Sequence, residues 1–250
     1  MIPVPYLYHN NLKETKMKKI VSLSVFAVFI GLFSSCTSSD KKDTKLQTPV
    51  KSKMEEAQGK NIAPADAKAK TIADLQEAFK GETTASAKYA AYSKKAEKEG
   101  YHNIALLFKA ASTAENVHAN NHKSVLSEYG AEIPVITPEY NVRSTMENLQ
   151  DAIEGESYEV ATMYPDFLQD AVSSKSQLAQ ISFNYALEVE KKHKVMYQNA
   201  LAALSANKVN ELPQVYYVCP TCGNTYDQTP PERCGISMTS SEKFLKINSL

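Results

Sequence analysis

The chain has no tryptophan, only eight glycines and four cysteines, and no excess of either charge, because 28 Lys and Arg face 28 Asp and Glu. Each shortage excludes something. Glycine is too sparse for a turn-rich all-β fold, so helices are favoured. With no basic block in the presumed mature part, nucleic acid is not an expected partner. After the first 36 residues there is no long hydrophobic run, so no second membrane-directed segment is expected. A length of 250 residues suits one large domain with a small appendage.

The N-terminus reads as a targeting segment. Met17, Lys18 and Lys19 give a positive start, residues 20–33 are apolar, and Ser34, Ser35 and Cys36 close the run. That layout belongs to an export signal, too short for a comfortable span. Small residues followed by a thiol resemble the lipobox of bacterial lipoproteins, in which the cysteine is lipidated and becomes the mature N-terminus. Phe33 stands where leucine is more usual; the alternative is an ordinary cleaved signal with an incidental cysteine. The expectation is an exported, membrane-anchored lipoprotein on the periplasmic or cell-surface side, with Met17 as the true start and Cys36 as the lipid site. Residues 37–70 are rich in Lys, Ser, Asp, Gln and Ala and read as a flexible tether.

From residue 71 to about 206 the periodicity is helical. Ile72, Leu75, Ala78, Phe79, Glu82, Tyr89 and Tyr92 share one stripe; Ile104, Leu107, Phe108, Ala111, Glu115, His118, His122 and Val125 share a second. Met146, Leu149, Ala152, Glu156, Glu159 and Met163 mark a third, and Phe183, Ala186, Glu190, His193 and Tyr197 a fourth. Gly100 turns between the first two, Gly130 ends the second, and Pro165 should bend or locally open the third. The spacing predicts an all-α architecture, a ferritin-like four-helix bundle with one long crossover. The two halves repeat. Residues 75–82 align with 149–156 at an offset of 74, while Phe108, Glu115, His118 and Leu126 recur as Phe183, Glu190, His193 and Leu201 at an offset of 75.

Acids occupy the apolar stripes. Burying an unpaired carboxylate costs several kcal/mol, so Glu82, Glu115, Glu156, Glu159 and Glu190 need compensation. His118 and His193 follow Glu115 and Glu190 by three residues, on the same face. One Glu from each of two helices and Glu-x-x-His from each of the other two form the ligand set of carboxylate-bridged two-metal bundles. Oxygen donors with one imidazole per ion suit iron or manganese. Gly81 and Gly155, unfavourable in mid-helix by about 1 kcal/mol, are expected to mark close helix approach beside the metals.

These motifs resemble the rubrerythrin family. The resemblance rests on residues 78–82, 115–118, 156–159, 163–165 and 190–193. It implies a di-iron site in which Glu82 and Glu156 are terminal ligands, Glu115 and Glu190 bridge, and His118 and His193 bind one ion each. Glu159, whose counterpart in the first half is Ala85, would replace His118 on oxidation. Tyr89 and Tyr164 would line the site and hydrogen-bond its carboxylates. The implied activity is reduction of hydrogen peroxide to water, served by an electron-donor protein and carried by a dimer. The alternatives are a ferroxidase or iron-binding ferritin-like protein, and a non-catalytic metal-binding lipoprotein. Residues 213–250 resemble the rubredoxin-like segment that follows the bundle in that family, with knuckles at Cys219-Pro220-Thr221-Cys222-Gly223 and Cys234-Gly235-Ile236-Ser237. Serine stands at the fourth cysteine position. Three readings stay open there: iron or zinc on Cys219, Cys222, Cys234 and Ser237, a disulfide between Cys219 and Cys222, or no metal.

Overall fold

A computed structural model of the protein describes residues 64–250. The signal segment, Met17, Cys36 and most of the tether fall outside those residues. The first helix, α1, spans Pro64–Lys98, so it starts inside the stretch expected to be tether up to residue 70. Its early turns have partners. Ala67 and Thr71 are buried, the Thr71 hydroxyl is 2.7 Å from that of Ser174, and Lys70 reaches Asp74 and, at 3.1 Å, Asp170. Tertiary contacts thus extend a segment whose polarity alone suggested disorder.

Helix α2 covers His102–Glu128; α3 covers Thr145–Tyr158; α4 covers Tyr164–Ser173; and α5 covers Gln177–Ser205. Ser144 caps α3 in a capping box with Glu147, satisfying amides that the helix start leaves free. Between α3 and α4 lies a π-helical turn, Glu159–Met163, closed by the Tyr164 amide donating to the Glu159 carbonyl five residues back. Pro165 follows directly, so the expected opening of the third helix is real and takes this form. A π turn holds one residue more than the α-helical path it replaces. This accounts for the change of repeat offset: Glu82 pairs with Glu156 at 74, but Tyr89 pairs with Tyr164 at 75. The register then holds through the hairpin turn, where Gly100 (φ +85°) corresponds to Lys175 (φ +56°).

The core of the bundle forms two clusters, and a third, around Cys219, Cys222 and Cys234, lies in the tail. One gathers Tyr89, Tyr92, Phe108, Leu149 and Tyr197; the other Leu75, Leu126, Tyr164, Phe167 and Phe183. Along α1, α2, α5 and the broken third helix alike, the chain passes from one cluster to the other at its acidic residues. No helix among the described residues is long and apolar enough to cross a membrane. The tail forms a three-stranded antiparallel sheet in the order β2-β1-β3, with β1 Tyr216–Val218, β2 Thr225–Tyr226 and β3 Leu245–Ile247. Tyr216 and Val218 pack into the first cluster, which seats the tail on the bundle.

Candidate metal centre

Six of the seven bundle residues singled out in the sequence converge. Ligand atoms of Glu82, Glu115, His118 and Glu190 all lie within 4.8 Å of one another, as do those of Glu115, Glu156, Glu190 and His193. Glu115 and Glu190 belong to both groups, which is the arrangement that two bridged ions require. All six are buried, with at most 2% exposure. His118 Nδ1 is 2.7 Å from Glu190 Oε1 and 3.0 Å from Glu115 Oε2, and His193 Nδ1 is 2.7 Å from Glu190 Oε2.

The donors fit a pair of cations. Glu82 Oε2, Glu156 Oε2, both Glu115 oxygens, Glu190 Oε1 and His118 Nδ1 are buried without a hydrogen-bond partner of acceptable geometry. Natural interiors rarely leave so many polar atoms unsatisfied in one place. Electrostatics agree. Burial, then the charge of Glu190, holds the Glu156 carboxyl well above its usual range, and burial lifts Glu82 to about 7. Burial opposes charge on the imidazoles as well, yet the surrounding carboxylates, Glu190 foremost, together outweigh it and raise His118 strongly and His193 to about 9. Four carboxylates and two neutral imidazoles around two divalent ions would remove the conflict, with loss of the protons held at the two Nδ1 atoms.

Glu159 stands apart. It is half-buried on the π turn, in neither ligand group, and lines a cleft of about 380 Å³ with Gly81, Tyr89, Gly155 and Met163. Burial, then the charge of Glu82, keeps its carboxyl well above the ordinary range. The two glycines line the same cleft rather than a tight helix crossing: a Cβ on Gly81 would meet nothing within 4 Å, and one on Gly155 only Tyr89 Oη at 4.0 Å. The expectation of close helix approach is therefore replaced by open space beside Glu159.

The tyrosines behave as the resemblance implied. Tyr89 donates to Glu156 Oε1 at 2.8 Å, and Tyr164 donates to Glu82 Oε1. Behind Tyr164 is a residue that the sequence placed on the inner stripe without a role. His122 Nε2 lies 3.2 Å from Tyr164 Oη, and His122 Nδ1 lies 2.8 Å from Ser182 Oγ. A histidine on an apolar stripe, one turn beyond His118, was the available signal.

The tail supplies the outer partners of both histidine ligands. His118 Nε2 donates to the Cys222 carbonyl at 3.1 Å. Thr225 donates its hydroxyl to the Gly223 carbonyl, so its oxygen accepts from His193 Nε2, 2.9 Å away. Both rings are thereby oriented with Nδ1 toward the carboxylates, the task that outer partners perform in metal sites. Gly223, at φ +77°, permits this approach, since a Cβ there would stand 2.4 Å from His118 Nε2. In the knuckles, Cys219, Cys222 and Cys234 are buried free thiols whose sulfurs cluster within 4.8 Å, so no disulfide joins Cys219 to Cys222. Ser237 Oγ lies 3.3 Å from Cys219 Sγ, and Asn224 Nδ2 points at Cys234 Sγ from 3.4 Å.

A helical bundle with paired Glu-x-x-His ligands and bridging carboxylates defines a ferritin-like dinuclear metal protein. The comparisons with known proteins narrow this. Residues 74–201 match the rubrerythrin family, and the chain belongs to it. It is 37% identical over 172 residues to Rubrerythrin-2 of Clostridium acetobutylicum, covering 68% of this chain and 92% of that protein. The structure of nigerythrin in its fully reduced, all-ferrous state aligns with a TM-score of 0.63 and 31% identity, over 70% of this chain and 86% of that one. Bacterioferritin of Rhodobacter capsulatus, at 18% identity and a TM-score of 0.51 over 55% of this chain and 87% of that one, shares the fold.

Proposed function

We propose that the protein reduces hydrogen peroxide at a di-iron centre held by Glu82, Glu115, His118, Glu156, Glu190 and His193. The two shared-carboxylate groups carry this reading. When bound, two ferrous ions supply one electron each, so that peroxide, two electrons and two protons give two water molecules. The residues do the rest. Glu115 and Glu190, common to both groups, would hold both ions, while Tyr89 and Tyr164 fix one oxygen of each remaining carboxylate and the Nε2 bonds hold both imidazoles in place. Glu159, at the cleft mouth and beside the Glu82 charge, is the carboxylate available when the centre gains positive charge, in exchange for His118. Relatives named rubrerythrin and nigerythrin support this assignment. The test is to mix the anaerobic diferrous protein with peroxide or with oxygen. Faster oxidation by peroxide is expected; a preference for oxygen would favour ferroxidase chemistry, and inertness a binding protein.

We propose further that the tail holds one iron or zinc on Cys219, Cys222, Cys234 and Ser237. Three convergent buried thiols favour a soft ion, and the serine oxygen stands where the set needs a fourth donor. Metal analysis should then give three ions per chain, falling by one in Cys234→Ala; two ions in the unaltered chain would reject the site. Electrons come from a separate donor protein, and the chain works as a dimer anchored through a lipid on Cys36. Membrane fractionation with Cys36→Ala tests the anchor, and sedimentation tests the dimer.

A further inference from the structure

The hydrogen-bond chain behind Glu82 runs in one direction. With cations bound Glu82 is a carboxylate, which only accepts, so Tyr164 donates its proton to Glu82 Oε1. The phenol oxygen then accepts from His122, 3.2 Å away, which places a proton on Nε2. His122 is fully buried with no carboxylate in contact, and burial lowers its pKa to about 3, so the ring is neutral and Nδ1 carries a lone pair. That lone pair accepts from the Ser182 hydroxyl at 2.8 Å. Every link has one polarity. The four residues come from α5, α2, α4 and α1 in turn, and none is more than 4% exposed.

The duplicated half lacks this device. At an offset of 75, Tyr164 corresponds to Tyr89, His122 to Tyr197 and Ser182 to Leu107. Tyr89 bonds to Glu156 in the same manner, but Tyr197 Oη is buried without a partner and Leu107 offers no hydrogen bond. Tyr89 still donates to Glu156, but no group behind its oxygen donates to it and holds that proton there.

We propose that His122 and Ser182 are positioning residues that lock Tyr164 as an obligate donor to Glu82 Oε1, keep Oε2 free for the cation, and so make the Glu82 side of the centre different from the Glu156 side. Oε2 is the oxygen that has no other partner. The proposal rests on reading the six-residue cluster as a two-metal centre, and not on peroxide as the substrate. It also puts the second break in the repeat on the side where Glu159 replaces Ala85.

Two measurements decide it. In the full-length protein loaded with zinc as a diamagnetic probe, nitrogen NMR of labelled histidine should show His122 neutral and protonated on Nε2, with a slowly exchanging proton. An imidazolium, or the Nδ1-protonated tautomer, overturns the proposal without any variant having to fold. In the ⁵⁷Fe-loaded diferrous protein, His122→Phe should keep two bundle irons while altering the Mössbauer signal of one. It should also slow peroxide oxidation by about tenfold, the scale expected for loss of an outer partner. His122→Gln, which keeps an N–H for Tyr164, should restore both. Equal change at both irons, or none, counts against it. A bundle that takes up no metal at all instead rejects the two-metal reading.

Discussion

The two helical hairpins of the bundle are copies that kept the same ligands and changed what surrounds them. Each offers a terminal Glu, a bridging Glu and a His at equivalent places, and each terminal Glu receives a tyrosine hydroxyl. Elsewhere the halves differ: Glu159 on a π turn, His122 and Ser182 have Ala85, Tyr197 and Leu107 as their counterparts in the repeat. Duplication supplied two sites of equal charge. The unmatched positions are more polar in Glu159, His122 and Ser182 than in Ala85 and Leu107. In the proposed function, metal binding falls to the matched residues and reactivity to the unmatched ones.

The sharpest way to break that distinction is at the shared residues. Glu190→Gln should abolish uptake of both bundle metals, because both groups lose a donor, whereas Glu82→Gln should lower occupancy on one side only; metal content per chain checks this. Next, Glu159→Ala should keep both metals and slow the reaction of the diferrous protein with peroxide by about tenfold or more, as measured by stopped-flow absorbance. An unchanged rate would remove Glu159 from the mechanism. A smaller contrast concerns stability. Tyr164→Phe strands Glu82 Oε1 and His122 Nε2 and should cost about 1–3 kcal/mol in denaturant unfolding of the metal-free protein. Tyr197→Phe removes an unpartnered hydroxyl and should stay within about 0.5 kcal/mol.

The smallest effect separates the halves through a surface pair. Asp151 accepts from Lys88 at 2.8 Å and from Tyr92 at 2.9 Å, while its repeat counterpart Glu77 is exposed. Burial works against the charged form of Asp151, but the hydrogen bond and charge of Lys88, with the Tyr92 hydroxyl, together outweigh it and hold the carboxyl below its usual value. A depressed carboxyl pKa stabilises the fold above the unfolded value and loses that contribution as pH falls through the folded one. Asp151→Asn should thus cost about 0.5–1 kcal/mol at neutral pH and progressively less below about pH 4, and Glu77→Gln should cost nothing measurable.

What could be read from residues alone follows a physical division. Acids on an apolar stripe violate the ordinary rule for helices, so the six ligands stood out without any structure, and the repeat doubled the signal. The π turn was harder to see. Its single extra residue changes no composition; Pro165 marked where the helix opens, and the shift of offset from 74 to 75 betrayed the added residue. Residues 64–70 looked like tether because their helix depends on distant partners, Ser174 and Asp170. Gly81 and Gly155 suggested crowding and instead border a cleft, since a missing side chain leaves space as readily as it permits contact. His122 needed Tyr164 and Ser182, 42 and 60 positions away, before its role could be recognised.

The Cys222 carbonyl reaches across from the tail to hold the far nitrogen of His118. The proposed exchange of that imidazole for Glu159 would act on this bond, and not on the corresponding bond from His193 to Thr225. The thiol-bearing lobe is thus fastened to the bundle through both histidines of the centre, so the proposed exchange would load one of its two fastenings and leave the other untouched.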